Sequence, residues 1–168
     1  KPTYVKAAFE YAYDELKKQN VQNKVTLFYN DYDTYFSVDD ELALISYINE
    51  GEEAKICGGI GMQSHVDIKR PTLEEYGNAL KAFINAGLEV QITELDITIN
   101  FDTDDTDGRT PTYAYKNEKE TDADQAAFTK DFIKQIVDIQ KNRDKTISPK
   151  GITGITVWGI SDQTSWRG

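Results

Sequence analysis

Hydrophobic residues recur at steps of three and four positions in four stretches of the chain, and this spacing predicts four amphipathic helices. The residues that define these stretches are Val5, Ala8, Phe9, Ala12 and Leu16; Leu42, Leu44, Ile45 and Ile48; Leu73, Tyr76, Leu80 and Phe83; and Phe128, Phe132, Ile133, Ile136 and Val137. Thr72 and Glu75 have the spacing of a capping box, so the third helix is predicted to begin there. Gly51 and Gly87 are predicted to end the second and third helices.

Short runs of β-branched, aromatic and other apolar residues alternate with these helices and predict four strands, over 25–30, 60–66, 90–98 and 152–160. Strict alternation of helix and strand is typical of an α/β fold with a parallel sheet and helical crossovers. The strands carry apolar residues at most positions, as strands covered on both faces do. Two architectures fit: an open doubly wound sheet, and part of a (β/α)8 TIM barrel.

The glycines argue against a nucleotide-binding sheet. No Gly-x-Gly-x-x-Gly run or phosphate loop follows a predicted strand, and the glycine-rich run 58–61 precedes one instead. A full barrel takes about 250 residues, so the four helix–strand units correspond to about half of one. The pattern of elements alone leaves both architectures open.

The composition indicates a folded, acidic protein and disfavours several classes of partner. With 39% hydrophobic residues among 168, the chain has enough apolar material for one ordinary core. Its net charge of -10 repels phosphate backbones and anionic lipids, so we expect neither nucleic acid nor a membrane as partner. A neutral sugar polymer carries no such penalty. The single cysteine, Cys57, cannot form an intrachain disulfide.

An acidic segment over residues 100–124 is the one long interruption of the alternation, and we expect it to be a surface loop. Residues 105–108 within it resemble part of a calcium-binding loop. The twelfth ligand position would fall on Ala114, which has no carboxylate. A solvated loop is therefore the favoured interpretation, with a calcium site as the alternative.

The third predicted strand contains two carboxylates in an apolar setting. Because side chains alternate along a strand, Ile92, Glu94 and Asp96 are predicted to share one face. Burying ionised carboxylates is costly without partners. They could simply bind neighbouring arginines or amides near the strand end. Alternatively, one of them is a nucleophile or base at the carboxyl end of a parallel strand, where such folds place their sites.

The neighbouring strands supply groups that fit the second interpretation. Gly61, Gln63 and His65 occupy alternate positions of the second strand, so the Gln63 and His65 side chains are predicted to point the same way. Because adjacent strands lie about 4.8 Å apart, the imidazole could reach Glu94. A lone histidine is more often structural than catalytic. Trp158 and Trp166 also allow two interpretations: they could be core residues, or they could stack on a sugar ring.

Four motifs carry a resemblance to a known family. They are 29–32 (Tyr-Asn-Asp-Tyr), 59–65 (Gly-Ile-Gly-Met-Gln-Ser-His), 91–97 (Gln-Ile-Thr-Glu-Leu-Asp-Ile) and 156–162 (Thr-Val-Trp-Gly-Ile-Ser-Asp), the last followed by Ser-Trp-Arg at 165–167. In order and spacing they resemble the motifs of glycoside hydrolase family 10, the endo-1,4-β-xylanases. The resemblance implies that residues 1–168 are a partial catalytic domain, the carboxyl-terminal half of a (β/α)8 barrel with its fifth to eighth strands.

The resemblance also implies roles for individual residues. Glu94 is similar to the family's catalytic nucleophile, His65 to the residue that orients it, and Asp96 to the support of that histidine. The residues implied to bind substrate are Gln63 at the cleavage point, Trp158 and Trp166 on the glycone side, Tyr32 on the leaving-group side, Asn30 at the end of the first strand, and Arg167 on the rim. Asp33 departs from the family, which often has asparagine there. No cofactor and no metal are implied.

One expected motif does not occur in this sequence. The family's general acid/base is a glutamate in a Trp-Asp-Val-Val-Asn-Glu-like motif on the fourth strand, and no such motif is found here. We therefore expect the missing amino-terminal half of the barrel as a partner, with xylan or a xylo-oligosaccharide as substrate. The alternatives are a non-catalytic xylan-binding fragment and an unrelated open α/β protein. An extracellular location is expected from the substrate, although no signal peptide opens the chain.

Overall fold

The computed structural model describes residues 1–99 and 118–166. Its helices are α1 (Thr3–Lys18), α2 (Val38–Asn49), α3 (Leu73–Asn85) and α4 (Glu118–Asn142), and a short 3₁₀ helix spans Asp162–Thr164. Its strands are β1 (Phe28–Asp31), β2 (Gly59–Met62), β3 (His65–Asp67), β4 (Glu89–Thr98) and β5 (Ile152–Val157). Among the described helices, none is long and apolar enough to cross a membrane.

The local signals at the helix ends act as predicted. At the start of α3, the Thr72 hydroxyl accepts a hydrogen bond from the Glu75 amide at 3.2 Å, and the Glu75 carboxylate accepts one from the Thr72 amide at 2.8 Å. This reciprocal pair satisfies two amide groups that have no partner within the helix. Gly51 and Gly87 follow α2 and α3 with φ angles of +81° and +75°, a backbone region that glycine enters without steric cost.

All strand pairs in the sheet are parallel, as predicted. β1 pairs with β2, both β2 and β3 pair with β4, and β4 pairs with β5. Since β2 and β3 lie end to end along β4, the sheet has four positions in sequential order. The apolar faces of the helices and the buried strand residues form one cluster, whereas a doubly wound sheet has a layer of helices on each face. Sequential order with a single helical layer is the arrangement of a partial (β/α)8 barrel.

The second predicted strand, 60–66, is divided in two. Ser64 lies between β2 and β3 with a φ angle of +65°, and its buried hydroxyl is 2.7 Å from the Tyr76 hydroxyl on α3. A left-handed residue interrupts the extended backbone, and this hydrogen bond to α3 holds it in place. Alternation of hydrophobic residues does not report such a local reversal.

Two further expectations need correction. Helix α4 begins at Glu118, so the end of the acidic segment predicted as a loop over 100–124 is helical. The rest of that segment, including the calcium alternative at 105–108 and Ala114, lies outside the described residues. The strands are also covered by helices on one face only; the other face carries half-exposed or exposed polar residues such as Asn30, Gln91 and Thr93.

The core predicts the effect of two matched truncations. Ile48 on α2 is fully buried, and Ile147, in the turn before β5, is 46% exposed. We expect Ile48→Ala to lower the free energy of unfolding by about 2–5 kcal/mol, because it leaves a cavity. Ile147→Ala should lower it by less than about 1 kcal/mol. Urea unfolding of both variants measures the difference, and equal losses would contradict this description of the core.

Candidate active site

The register of β4 against its neighbours changes within the strand. Met62 on β2 is paired with Ile92, and His65 on β3 is paired with Asp96. Three residue steps on one side therefore match four on the other, so β4 carries one extra residue. The pairing with β5 shifts in the same interval, between Ile92 and Leu95. β4 thus contains a β-bulge, a feature that re-aims side chains.

The bulge corrects the predicted face of β4. Ile92 and Leu95 are both buried in the core, three residues apart rather than two or four. Thr93 and Glu94 between them both contact Asn30 on the opposite face of the sheet. Strict alternation predicted that Ile92 and Glu94 share a face, and this prediction is wrong.

The predicted carboxylates and the histidine do meet. His65 Nδ1 lies 2.9 Å from Asp96 Oδ2, and its Nε2 lies 3.4 Å from Glu94 Oε2. The side chains of His65, Glu94 and Asp96 are 15%, 20% and 10% exposed, so all three are largely removed from water. Because an ionised carboxylate only accepts hydrogen bonds, the short contact to Asp96 places a proton on Nδ1. The imidazole is thereby oriented with Nε2 toward Glu94.

Trp166 contributes to the same cluster. Its indole Nε1 donates a hydrogen bond of 3.0 Å to Asp96 Oδ2, the oxygen that also contacts His65. The Trp166 and His65 rings meet edge to face, with centroids 5.1 Å apart. The indole is 66% exposed, so it joins the carboxylate cluster to an accessible aromatic surface.

Asn30 reaches Glu94 from the other side. Its Nδ2 donates to Glu94 Oε1 at 3.4 Å, while its Oδ1 accepts from the Thr93 hydroxyl at 2.6 Å. The two oxygens of Glu94 therefore face different partners, His65 and Asn30. A partly exposed carboxylate held at both oxygens is suited to act as a nucleophile or a base.

The other predicted site residues lie at the carboxyl ends of the strands. The backbone N–H of Gln63 donates to the backbone carbonyl of Asp31, and the backbone carbonyl of Gln63 accepts from the backbone N–H of Glu94, both at 3.0 Å. Tyr32 directly follows β1 and is 64% exposed. Trp158 directly follows β5, is 48% exposed, and lines a cavity of about 450 Å³ that includes Asp96. Arg167 lies outside the described residues.

An acidic group at the end of β1 was missed by the sequence reasoning. The Tyr29 hydroxyl donates to Asp31 Oδ2 at 2.7 Å, and burial, with this hydrogen bond, raises the pKa of Tyr29. Glu41 on α2 is buried, and its carboxylate accepts from Ser37 Oγ at 3.2 Å. Burial is the main cause that raises the pKa of Glu41. The i, i+2 spacing of Tyr29 and Asp31 was the available signal, since both lie on one strand face.

Comparison with known proteins places this geometry in a family. The family model described as "Glycosyl hydrolase family 10" matches residues 2–168. The chain belongs to glycoside hydrolase family 10. The recognition made from the four motifs is therefore confirmed, and so is the partial TIM barrel.

Individual members of the family are similar over nearly the whole chain. Endo-1,4-beta-xylanase A of Butyrivibrio fibrisolvens is 42% identical over 163 residues, which are 97% of this chain and 33% of that protein. The crystal structure of CbXyn10B in native form is 27% identical with a TM-score of 0.70, over 99% of this chain and 44% of that one. A mutant in complex with xylotriose is 28% identical with a TM-score of 0.68, over 98% and 44%.

The chain spans a third of the first of these relatives and less than half of the other two.

Among the described residues of this family 10 chain, no group of three or more His, Cys, Asp or Glu side chains could hold a metal ion.

The contacts of His65 predict its tautomer. In spectra of the ¹⁵N-histidine-labelled protein, with His65→Gln for assignment, we expect a slowly exchanging proton on Nδ1. Asp96→Ala should abolish that signal because the acceptor is removed. Glu94→Gln is the matched control and should leave it, since Glu94 faces Nε2. A protected Nδ1 proton that survives in Asp96→Ala would contradict the assigned hydrogen bond.

Proposed function

We propose that this chain forms part of a retaining endo-1,4-β-xylanase in which Glu94 is the nucleophile. The observation that carries the proposal is the chain of contacts from Asp96 through His65 to Glu94, in the carboxyl-terminal half of a parallel strand. In TIM barrels this end of the strands bears the active site. Family membership and the named xylanase relatives support the choice of substrate.

The proposed reaction begins with attack on the sugar. A carboxylate oxygen of Glu94 forms a bond to the anomeric carbon of a xylose residue, and the glycosidic oxygen leaves with the bonding electron pair and takes a proton from a general acid. The residue that served as general acid then acts as general base: it deprotonates a water molecule, which attacks the anomeric carbon and releases Glu94. Two inversions give net retention of configuration.

The neighbours of Glu94 prepare it for this step. Holding both carboxylate oxygens in place reduces the freedom that the side chain must lose to reach the attacking geometry. Partial burial strengthens the electrostatic interactions of the carboxylate with its partners. We assign His65 and Asp96 to this positioning, as the family resemblance implied.

The general acid/base is proposed to lie in the part of the domain outside this chain. Retaining glycosidases use two carboxyl groups about 5–5.5 Å apart, and leaving-group protonation typically contributes about 10²–10⁴-fold in rate. The relatives are much longer than this chain, so they have room for such a residue. We therefore propose the amino-terminal half of the barrel as partner. The exposed apolar residues of and after β5 support an interface there: Ile155, Val157 and Ile160.

The exposed aromatic rings suit a sugar polymer. We propose that Trp158 and Trp166 stack on xylose rings of the glycone side, that Gln63 binds the sugar at the cleavage point, and that Tyr32 contacts the leaving group. A pyranose ring can stack its C–H face on an aromatic π-face. Arg167 and Asn30 are assigned to the same cleft. An extracellular location is proposed from the substrate, because an insoluble polymer must be met outside the cell.

A non-catalytic xylan-binding role is the second candidate for the chain by itself. It is favoured because the acid/base motif does not occur in this sequence, and by the exposed tryptophans. The two candidates differ in whether the chain takes part in turnover once the barrel is complete.

The nucleophile is tested in the complete catalytic domain, from the parent gene or by grafting this chain into the matching region of the B. fibrisolvens xylanase. We expect Glu94→Ala to abolish xylan hydrolysis, because no covalent intermediate can form. Added azide should restore cleavage of an activated aryl xylobioside, because the small anion fits the vacated space. It attacks once, so the product should be the α-azide. A β-azide would remove Glu94 from the nucleophile role.

The matched control is Glu89→Ala. Glu89 lies on the same strand at its amino end, where it pairs with Lys150 at 2.7 Å. We expect this variant to retain turnover, and a loss equal to that of Glu94→Ala would point to a general effect of removing a carboxylate from β4.

The missing acid is tested with the isolated chain. We expect it to release no reducing sugar from xylan, and we expect activity to appear when the amino-terminal half is added, because that half supplies the acid. The measurement is reducing-sugar release with each half alone and with both. Comparable hydrolysis by this chain alone would refute the missing-acid proposal, and xylan binding without turnover in the mixture would favour the second candidate.

A further inference from the structure

The side chain of Asn30 crosses a complete strand to reach Glu94. Asn30 lies on β1 and Glu94 on β4, with β2 between them. Two strand spacings amount to roughly 9–10 Å, so the amide must extend over the surface of β2. The residue that it crosses is Gly61, which is paired with Asn30 on one side and with Gln91 on the other.

Gly61 leaves the space that this crossing requires. A Cβ atom at Gly61 would lie 2.4 Å from Asn30 Oδ1 and 3.1 Å from Thr93 Cγ2. The first distance is shorter than any real contact of such atoms, so any side chain here would displace the Asn30 amide. The need for glycine comes from this close approach, because Gly61 is not among the residues with a positive φ angle.

Thr93 holds the Asn30 amide in the orientation that Glu94 requires. The two ends of an amide differ, since its oxygen accepts hydrogen bonds and its nitrogen donates them. A carboxylate at Glu94 requires the nitrogen end, which leaves Oδ1 pointing at the Thr93 hydroxyl 2.6 Å away. The hydroxyl can donate there. Without that donor, Oδ1 loses its hydrogen-bond partner, and the Asn30 side chain is held against Glu94 by one contact fewer.

We infer that Thr93 and Gly61 are positioning residues for the nucleophile of this active site, acting through Asn30. The inference rests on the proposed function of Glu94. It assigns Asn30 to holding the nucleophile, whereas the resemblance implied contact with substrate. The bulge makes the device possible, because it puts Thr93 and Glu94, consecutive residues of β4, on one face where both reach Asn30.

The test is a set of variants of the complete catalytic domain. Thr93→Val keeps the shape of the side chain and removes the donor, and we expect kcat on xylan to fall on the order of tenfold, as the loss of one hydrogen bond near a charged group implies. KM should change by less than about twofold, because the sugar contacts remain. Thr93→Ser restores the hydroxyl and should recover most of kcat. A residue that only packs would respond in the opposite order, since serine loses the methyl group.

A double-substitution cycle tests whether Thr93 acts through Asn30. If it does, Asn30→Ala with Thr93→Val should be no slower than Asn30→Ala alone. Gly61→Ala should lower kcat in the wild-type background and have little further effect in the Asn30→Ala background. Additive losses would overturn the inference, because they would mean that the residues act independently.

Thr153→Val is the matched control. Thr153 is a threonine of β5 whose hydroxyl contacts Gln91 and Glu89 rather than Asn30. We expect kcat to stay within about twofold of wild type.

The inference and the proposed function can fail separately. If Glu94→Ala is inactive and rescued by azide while Thr93→Val retains full kcat, the nucleophile stands and the inference is overturned. If the complete domain does not hydrolyse xylan, the proposed function fails. Crystal structures of Thr93→Val and Gly61→Ala then decide the inference: it requires Asn30 to lose its contact with Glu94 in both, and an unchanged Asn30 would overturn it.

Discussion

The geometry of the candidate site depends on one extra residue in β4. Between Ile92 and Leu95 the strand advances one position further than its neighbours on both sides. Before the bulge the even-numbered residues of β4, such as Ile92, face the core, and after it the odd-numbered residues, such as Leu95, do so. This lets β4 contribute Ile92 and Leu95 to the buried face and still place the consecutive residues Thr93 and Glu94 on the other face. A regular strand could not do both.

The two carboxylates of β4 create an electrostatic requirement that the surroundings meet. Glu94 and Asp96 lie two residues apart in one largely buried cluster, where two negative charges repel each other and neither is well hydrated. The imidazole of His65 lies between them, and N–H groups of Trp166 and Asn30 approach from opposite sides. Each donor comes from a different part of the chain, so the cluster exists only when the strands are assembled.

The half-barrel architecture explains why the site is open. The helices cover one face of the sheet, and the polar face, which bears the candidate site, is left half-exposed. In the second half of β5 even apolar side chains remain accessible, with Ile155 40% and Val157 70% exposed. These features are those of a sheet that continues into further strands, in keeping with the longer relatives of the family. The chain carries a positioned carboxylate, and the remainder of a barrel would enclose the cleft around it.

Much of the fold was predictable because its signals are local. Hydrophobic periodicity predicted the four helices, and the alternation of helices with strands predicted a parallel sheet. The pair Thr72 and Glu75 marked the start of α3, and Gly87 marked the point after its end. The periodicity could not separate a doubly wound sheet from a barrel, since both repeat the same unit. It also missed the break at Ser64, where a hydrogen bond to Tyr76 on another element holds a left-handed backbone.

For the candidate site, the sequence by itself determined which chemical groups are present and that Glu94, Asp96 and His65 belong to strands. The four motifs were enough to recognise the family. Only the tertiary structure decided how these groups face one another. Alternation placed Ile92 on the face of Glu94, which was wrong because the bulge is a property of pairing with two neighbouring strands. The crossing of Asn30 over Gly61 joins residues that are distant in sequence. A contact that depends on strand register has no signature in either segment alone, because register is set by packing.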